Sequence, residues 1–464
     1  MGQSGYSAGE IYPARVPFAA PIALRFRLMG ADAASRVRDA LSEIAGGQLA
    51  RLPFPVRFWD GSELRGESDG PVPVLRSPRA IAYLLRAPNQ VGLARAWVTG
   101  ALDVDGDLEA LLAARRRFEG VAVTALERVK LLAKAVRAMP QALLARAPVP
   151  SIEAAPRGRR HSLARDRVAV RHHYEVSNEF YRLLLGPSLT YSCAYFEGPH
   201  DSLEDAQERK HELICRKLRL SPGERLLDIG CGWGSLLLHA AARHGTRGVG
   251  VTLSDSQAQL ARRRVAEQGL SHLVEIRVSD YREIADGPFD KIVSVGMYEH
   301  VGRAELANYA STVAGLLRPG GLFLNHGITR LASEEPRHAT FFNRFIFPDG
   351  ELHHVTAIQS AMQIAGLEVR DVESLREHYP LTLRRWLANL EAKRRDAVAL
   401  VGEERERAWR LYILASALGF EDGDISVYQV LSARLGAEHR LPLTRADLLG
   451  PERDERQEVI SVAG

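Results

Sequence analysis

The sequence predicts an α/β protein: a doubly wound sheet under a helical cap, with a smaller α+β module ahead of it. Three observations carry that expectation. Between about 172 and 300, short apolar runs alternate with amphipathic ones, as strands do with the helices that cover them. The first of those strands opens into a glycine-rich turn, Asp228-Ile229-Gly230-Cys231-Gly232-Trp233-Gly234. From 341 onward the pattern turns helical, with aromatics and Arg placed as a cap over the sheet's carboxyl edge would place them.

Taken in order, residues 1–115 mix strand-like pieces such as PVRFWDG (55–61) and PVPVLRS (71–77) with helical ones. The spacing predicts a helix from Pro78 to about Leu85. AWVTGALDVDGDLEALL (96–112) reads as helix turning at Gly106 into a second helix. No catalytic cluster is legible in this module. Residues 116–171 differ in kind. In VAVTALERVKLLAKAVRAMPQALLARA (121–147), Leu126, Val129, Leu132, Ala133 and Val136 recur at helical spacing, and the charges between them are nearly all positive. Pro148, Pro150, Pro156 and Gly158 then interrupt regular structure.

Residues 172–435 carry the sheet. RLLDIG (225–230) is a buried strand, and SLLLHAAARHG (235–245) is a helix stopped by Gly245. GVGVTL (248–253) and SQAQLARRRVAEQGL (256–270) repeat the unit. VEIRVSDY (274–281), FDKIVSV (289–295) and GLFLNHGI (321–328) add three strands, and the alternation predicts a parallel sheet covered on both faces. A tail, 436–464, follows.

Charge divides the chain in similar places. Its 61 Lys and Arg against 57 Asp and Glu leave +4. Yet 14 basic and 4 acidic residues fall between Arg115 and His173, so that window alone holds +10. This excludes a uniformly basic nucleic-acid coat and predicts one surface that prefers anions. Coding bias explains 55 Arg against 6 Lys more simply than phosphate recognition does. Cys193, Cys215 and Cys231 are too few and too irregularly placed for a disulfide framework or a zinc site. The N-terminus lacks an apolar signal core, and charges break every apolar run well short of a membrane span. The expected location is therefore cytoplasmic, with at most peripheral attachment to the inner face of the membrane.

In the turn at 228–234, Gly230 and Gly232 permit a tight strand-to-helix connection and close approach of a ligand to the backbone. The spacing is G-x-G-x-G, not the dinucleotide fingerprint. Asp228 at the strand end would repel a pyrophosphate but suits a cationic cofactor that bears an amino acid. S-adenosylmethionine, with its ammonium and sulfonium, has that chemistry. Asp280 and Tyr281, after the third strand, support the same reading.

Several stretches together resemble one family. They are HHYEVSNEFYRLLLGPSLTYSCAYFEG (172–198), LLDIGCGWGSLLLHAA (226–241), GVTLSDSQ (250–257), VSVGMYEHVG (293–302) and FIFPDGELH (345–353). The family is that of the cyclopropane-fatty-acyl-phospholipid synthases and the related mycolic acid cyclopropane synthases. The N-terminal third also looks like the lipid-engaging domain of the phospholipid enzymes, which favours that branch. The resemblance implies a Rossmann-like class I methyltransferase fold and S-adenosylmethionine as cofactor. It implies transfer of the cofactor's methyl carbon to a cis double bond of an unsaturated acyl chain, closing a cyclopropane ring. The alkene is a poor nucleophile, so positioning must supply much of the catalysis. The carbocation on the chain needs an apolar, water-excluding tunnel and aromatic faces.

The resemblance further implies a bound bicarbonate ion as general base, held by Cys193, Glu299, His326, Ile328 and Tyr379. His326, Tyr379 and the backbone N–H groups of Cys193 and Ile328 would donate to it, and Glu299 would accept from its hydroxyl. It places Tyr191 and Ser192 near the methionine carboxylate, and Gly230 and Gly232 under the methionine. Thr252, Leu253 and Gln257 surround the ribose, and Asp280 and Tyr281 lie near the adenine. Gln257 is expected to take the ribose hydroxyls through its amide oxygen, with Asp255 as a lesser substitute. Ser416 stands where many relatives carry a cysteine, so no nucleophile is expected there. No metal is implied; a homodimer is.

Two other readings stay open. A methyl- or methylene-branching fatty acyl methyltransferase would lose a different proton from the same cation, although SVGMYEH resembles the cyclopropane branch. A non-catalytic lipid-binding protein would keep the domain without the chemistry, but all five base-site positions are filled. The basic segment has no interleaved stacking aromatics, so the expected partner is an anionic membrane surface and not nucleic acid.

Overall fold

The computed structural model describes residues 54–66, 69–114, 147–155, 157–174, 176–331 and 340–449. The basic helix expected at 121–147 falls outside them except for Ala147. The described residues separate into two compact units, one of 54–88, 100–114 and 147–148, the other of 89–99 and 149–449.

The first unit holds a small sheet in the order β2-β1-β3-β4. Its strands are β1 (Val56–Arg57), β2 (Glu63–Leu64), β3 (Val72–Leu75) and β4 (Leu102–Asp105). Along the chain come α1 (Arg79–Arg86), α2 (Gln90–Val98) and α3 (Leu108–Ala113), of which α2 belongs to the second unit. β4 corrects the expectation of helix across 96–105. Leu102-Asp103-Val104-Asp105 alternates with the period of a strand and pairs antiparallel with β3. Asn89 caps α2 and Asp107 caps α3, each accepting from a backbone N–H two residues on.

In the second unit, α4 (Leu163–Tyr174), α5 (Asn178–Leu185) and α6 (Leu203–Lys217) precede the sheet. Then follow β5 (Arg225–Ile229), α7 (Ser235–His244), β6 (Arg247–Thr252), α8 (Asp255–Glu267), β7 (Val274–Val278) and β8 (Phe289–Val295). Next are α9 (Leu306–Leu316), β9 (Leu317–Arg330), α10 (Val355–Ile364) and β10 (Leu367–Ser374). The described part ends with α11 (His378–Ala392), α12 (Arg394–Val401), α13 (Glu403–Glu421), β11 (Ile425–Arg434) and α14 (Ala446–Leu449).

The sheet order is β10-β11-β9-β8-β5-β6-β7. β9, β8, β5, β6 and β7 are parallel, as expected. β11 runs antiparallel between β9 and β10, so the sheet is mixed and the region after 341 is not helical throughout. Short apolar runs such as ISVYQVL do not distinguish a buried strand from a buried helix segment by periodicity, which is why these two strands escape it. Neighbouring residues feed opposite cores. Leu227, Ile229, Ile292 and Phe323 pack with α9 and α10, while Leu226, Val293, Leu322 and Leu324 pack with α6, α7 and α8. Trp97 on α2 donates its indole N–H to the Arg407 carbonyl at 3.0 Å, and Arg407 Nε returns a bond to Trp97 O at 2.7 Å. Those two bonds fasten α2 to α13. Among the described residues, no helix is long and apolar enough to cross a membrane.

Candidate active site

Parallel strands end on the same side, and here four of those ends meet. At the end of β5 the chain must turn at once. Gly230 (φ +83°) and Gly232 (φ +55°) adopt left-handed conformations, and a Cβ on Gly230 would stand 3.1 Å from Met297. Gly230 and Cys231 both donate to the Val251 carbonyl at 3.0 Å, which ties the turn to β6. After β6, Ser254 caps α8 by accepting from Gln257 N. After β7, Asp280 caps a single turn at 281–283, and Glu283 returns a bond to Asp280 N.

The cleft at these strand ends is lined by all ten residues expected to hold the cofactor: Tyr191, Ser192, Asp228, Gly230, Gly232, Thr252, Leu253, Gln257, Asp280 and Tyr281. Three details differ from expectation. The Gln257 oxygen already accepts from Thr252 Oγ1 at 2.8 Å, which leaves it one lone pair for a ribose hydroxyl. Asp255 is half-exposed, paired with Arg171 at 2.6 Å and outside the cleft lining, so it is no substitute. The Asp280 carboxylate is clamped at both oxygens by Arg282, at 2.8 and 2.7 Å. Arg282 also binds Asp166 of α4 at 2.9 Å, and Asp166, Val170 and Tyr174 bring α4 into the cleft wall.

Sequence reasoning missed Lys210. It is buried in the same cleft, donating to Ser192 Oγ at 2.9 Å. Burial pushes the Lys210 ammonium down to about 7. Burial likewise pushes the Asp228 carboxyl up to about 7, against the pull of Lys210. A usable signal existed. Lys210 and Lys217 occupy the apolar stripe of α6 with Leu203, Leu213 and Ile214, in a chain that otherwise spends Arg for its positive charge.

None of the five positions expected to hold the base lies in the wall of this cleft. Glu299 lies in a turn at 298–300, and its Oε1 accepts from Ile328 N at 2.7 Å. The Ile328 N–H, expected to donate to the ion, is therefore committed to Glu299, whose carboxylate needs it in a buried place. Glu299 Oε2 is buried without a partner, and burial raises the carboxyl to about 7. His326 on β9 stands in register with Val295 on β8 and Gln429 on β11. Its Nδ1 lies 3.2 Å from Gln429 Nε2, its Nε2 has no partner, and burial lowers it to about 3, so the ring is neutral. Tyr379 begins α11, with its phenol raised well above the usual range by burial and then by Tyr412, Cys193 and Glu299 nearby. Cys193 is fully buried, its thiol directed at the Ala194 and Leu375 carbonyls.

Residues 161–430 match the family described as mycolic acid cyclopropane synthetase. The chain belongs to that family. A probable fatty acid methyltransferase of Pseudomonas putida is 40% identical over 409 residues, which are 86% of this chain and 97% of that protein. The cyclopropane-fatty-acyl-phospholipid synthase of Escherichia coli K12 is 37% identical over 276 residues, 59% of this chain and 69% of that protein. The mycolic acid cyclopropane synthase CmaA1, solved with SAH and CTAB, is 35% identical, with a TM-score of 0.56 over 58% of this chain and 98% of its own. As a cyclopropane synthetase family member, this chain is an S-adenosylmethionine-dependent methyltransferase with a Rossmann-like class I sheet.

Aromatic rings border the cleft. Tyr174 and Tyr191 line it, and Tyr191 packs on Trp386 (5.2 Å between centroids) and Trp409 (5.9 Å). Tyr191 donates to Tyr412 Oη at 2.9 Å, and Tyr412 meets Phe347 at 5.5 Å. The basic segment is less free than its charge suggests. Arg160 pairs with Asp349 and Glu351, Arg165 with Asp349, Arg167 with Glu283 and Arg171 with Asp255. Arg157 and Arg159 are exposed and have no ion pair among the described residues.

Proposed function

We propose that this enzyme cyclopropanates cis double bonds in the unsaturated acyl chains of membrane phospholipids, using bicarbonate as the general base. One observation supports the base most directly. His326 Nε2 and Glu299 Oε2 are each buried without a partner, and Glu299 is near enough to Tyr379 to raise its phenol. The Gln429 amide donates to His326 Nδ1, so the neutral ring carries its proton on Nε2. These two residues thus present one donor lacking an acceptor and one acceptor lacking a donor. A hydrogencarbonate ion has both, and such orphans are rare in a finished core.

When bound, S-adenosylmethionine supplies the methyl and bicarbonate removes the proton that must leave it for ring closure. The chain's own residues do the rest. Asp228 with its carboxylate ionised attracts the cofactor's positive charge, and Lys210 keeps Ser192 in place. Tyr174, Tyr191, Trp386 and Trp409 offer π-faces to a cation forming on the acyl chain, in a buried setting that excludes water. Glu299 and His326 orient the ion, and Tyr379 adds a phenolic donor. In this reading 172–435 is the catalytic domain, 1–115 engages lipid, and 116–171 meets anionic headgroups at the inner membrane face through its unpaired arginines. The functional unit is a dimer.

A second reading has one point in its favour: two relatives that match 86% and 88% of this chain are described as probable fatty acid methyltransferases. It would lose a different proton and leave a methylene or methyl branch. The test is the lipid extracted from a host with and without this protein expressed. Upfield cyclopropyl protons in its NMR spectrum are expected; an exocyclic methylene signal without them would sink the ring-forming reading. Purified enzyme should form S-adenosylhomocysteine on unsaturated phospholipid vesicles and slow when bicarbonate is stripped. Turnover unaffected by bicarbonate removal would sink the base assignment.

A further inference from the structure

On the side of α6 away from Ser192, two helices bring together a set of side chains with no part in the methyl transfer. Glu212 and Cys215 stand one turn apart on α6, and His239 and His244 lie on α7. Glu212 Oε2 is 3.0 Å from His239 Nε2 and 3.0 Å from His244 Nε2. Ligand atoms of Cys215, His239 and His244 all fall within 4.8 Å of one another. Cys215 is fully buried, the two histidines are largely so, and Glu212 closes the outer side at 40% exposure.

We propose that Glu212, Cys215, His239 and His244 form a binding site for a divalent zinc-like cation that clamps α6 to α7. The donor set is N₂SO, which suits a borderline-soft tetrahedral ion and not calcium or magnesium. The geometry is close to that state. Tetrahedral zinc with bonds of about 2.0 Å holds adjacent N and O ligands about 3.3 Å apart. The two His–Glu separations already sit a few tenths of an ångström from that. The sulfur lies within 4.8 Å of both histidines and must close toward the S···N separation of about 3.5 Å that a zinc–sulfur bond of about 2.3 Å implies. On binding, each imidazole moves its proton from Nε2 to Nδ1 and gives the Nε2 lone pair to the metal. The Cys215 thiol releases its proton to solvent and coordinates as thiolate. No oxidant or reductant takes part.

Position gives the clamp its consequence. α6 carries Lys210 and His211 to the cofactor cleft and Lys217 to Gln429, while α7 springs directly from the Gly230–Gly234 turn. A metal between them would fix the two helices that frame the cofactor site, whatever acyl substrate the enzyme takes.

The test uses the full chain, treated with chelator, equilibrated with zinc chloride and desalted, then assayed for metal content. About one zinc per chain should remain. Cobalt in its place should give a near-ultraviolet thiolate-to-cobalt charge-transfer band together with tetrahedral visible bands. Cys215→Ser should abolish that band and weaken zinc binding at least about tenfold, and Glu212→Gln should keep the band while weakening affinity. Zinc should raise the melting temperature of the unaltered protein and leave that of Cys215→Ser unchanged. Should Cys215→Ser fail to fold by circular dichroism, His244→Gln, at the more exposed end of α7, carries the same affinity comparison. An unaltered protein that desalts metal-free, or a folded variant that binds zinc as tightly as its parent, would overturn the proposal.

Discussion

Lys217 Nζ donates to Gln429 Oε1 at 2.7 Å, and that bond decides which end of the Gln429 amide His326 meets. With the oxygen taken, the NH₂ group faces His326 Nδ1 at 3.2 Å. Nδ1 must accept, so the proton of the neutral ring resides on Nε2, which is buried without a partner. A lysine on α6 thus sets, through Gln429, the tautomer of a residue to which it makes no hydrogen bond.

Gln429→Glu tests that chain of bonds. A carboxylate at this position offers His326 only an acceptor, so the proton is drawn to Nδ1 and Nε2 loses its donor role. Turnover should fall by about 10- to 100-fold, the scale of a misplaced acid–base partner, with cofactor Kd changed less than twofold. Nitrogen NMR of the histidine ring should report the exchanged tautomer. A variant with altered turnover and an unaltered tautomer would place Gln429 outside this role.

Glu299 has a stability signature as well as a catalytic one. Its carboxyl is raised from the ordinary range to about 7 because burial disfavours the charge. Between about pH 4.5 and 7 the folded state therefore holds a proton that the unfolded state has lost. Stability from this group is complete below pH 4.5 and is lost as pH rises through 7, by on the order of 3 kcal/mol. His326, depressed to about 3, works in the opposite sense: its contribution is present above 6.5 and is lost as pH falls toward 3. Comparing Glu299→Gln with the parent isolates the first effect. Urea unfolding at pH 5 and pH 8 should show the variant gaining relative stability at pH 8, while its turnover drops by about 100-fold or more. A pH-independent stability difference would contradict the burial account.

Much of this was legible before any coordinates. The ten expected cofactor positions all line the cleft: Gly230, Gly232 and Asp280 sit at turns that sequence chemistry announces, while Tyr191, Ser192, Thr252, Leu253 and Gln257 come from the family resemblance. What escaped is what only tertiary packing supplies. Lys210 and Lys217 stand out in the apolar stripe of α6, but what they bond to depends on how α6 is laid on the sheet. Gln429 lies in a strand whose apolar run gives no period. Arg282 follows the adenine-side pair in sequence, but its clamp on Asp280 and Asp166 depends on where α4 packs. The cysteine count likewise gives no sign that Cys215 meets His239 and His244, because ligand spacing in one segment says nothing about two helices placed side by side.

Lys210 links the two halves of the cofactor site, and its removal has a sign that can be worked out. The ammonium holds the Asp228 carboxyl down against its burial. In Lys210→Met the carboxyl rises further above 7 and is mostly neutral at pH 7. Affinity for the cationic cofactor should fall by about tenfold at pH 7 and recover as pH approaches 9, whereas the parent should vary less over that interval. Calorimetric titration of S-adenosylmethionine at several pH values measures both. Because Ser192 also loses its donor, a residual loss of affinity at pH 9 is expected; an equal loss at every pH would remove Asp228 from the explanation.

The proposed phospholipid substrate would have to be reached in a bilayer by a chain without a membrane-crossing helix among its described residues. The segment's +10 is an overestimate of its reach, since Arg160, Arg165, Arg167 and Arg171 spend their charge on Asp349, Glu351, Glu283 and Asp255. Arg157 and Arg159 are the described residues of this stretch left to meet a headgroup. Changing both to Glu should weaken binding to anionic phospholipid vesicles several-fold at low ionic strength. The difference should shrink at 0.5 M salt, where the screening length falls to about 4 Å. Arg160→Glu should act differently, opposing Asp349 and Glu351 and lowering thermal stability more than vesicle affinity. If the double variant binds vesicles as the parent does at every salt concentration, membrane contact belongs to another surface and this stretch only fastens α4 to the catalytic unit.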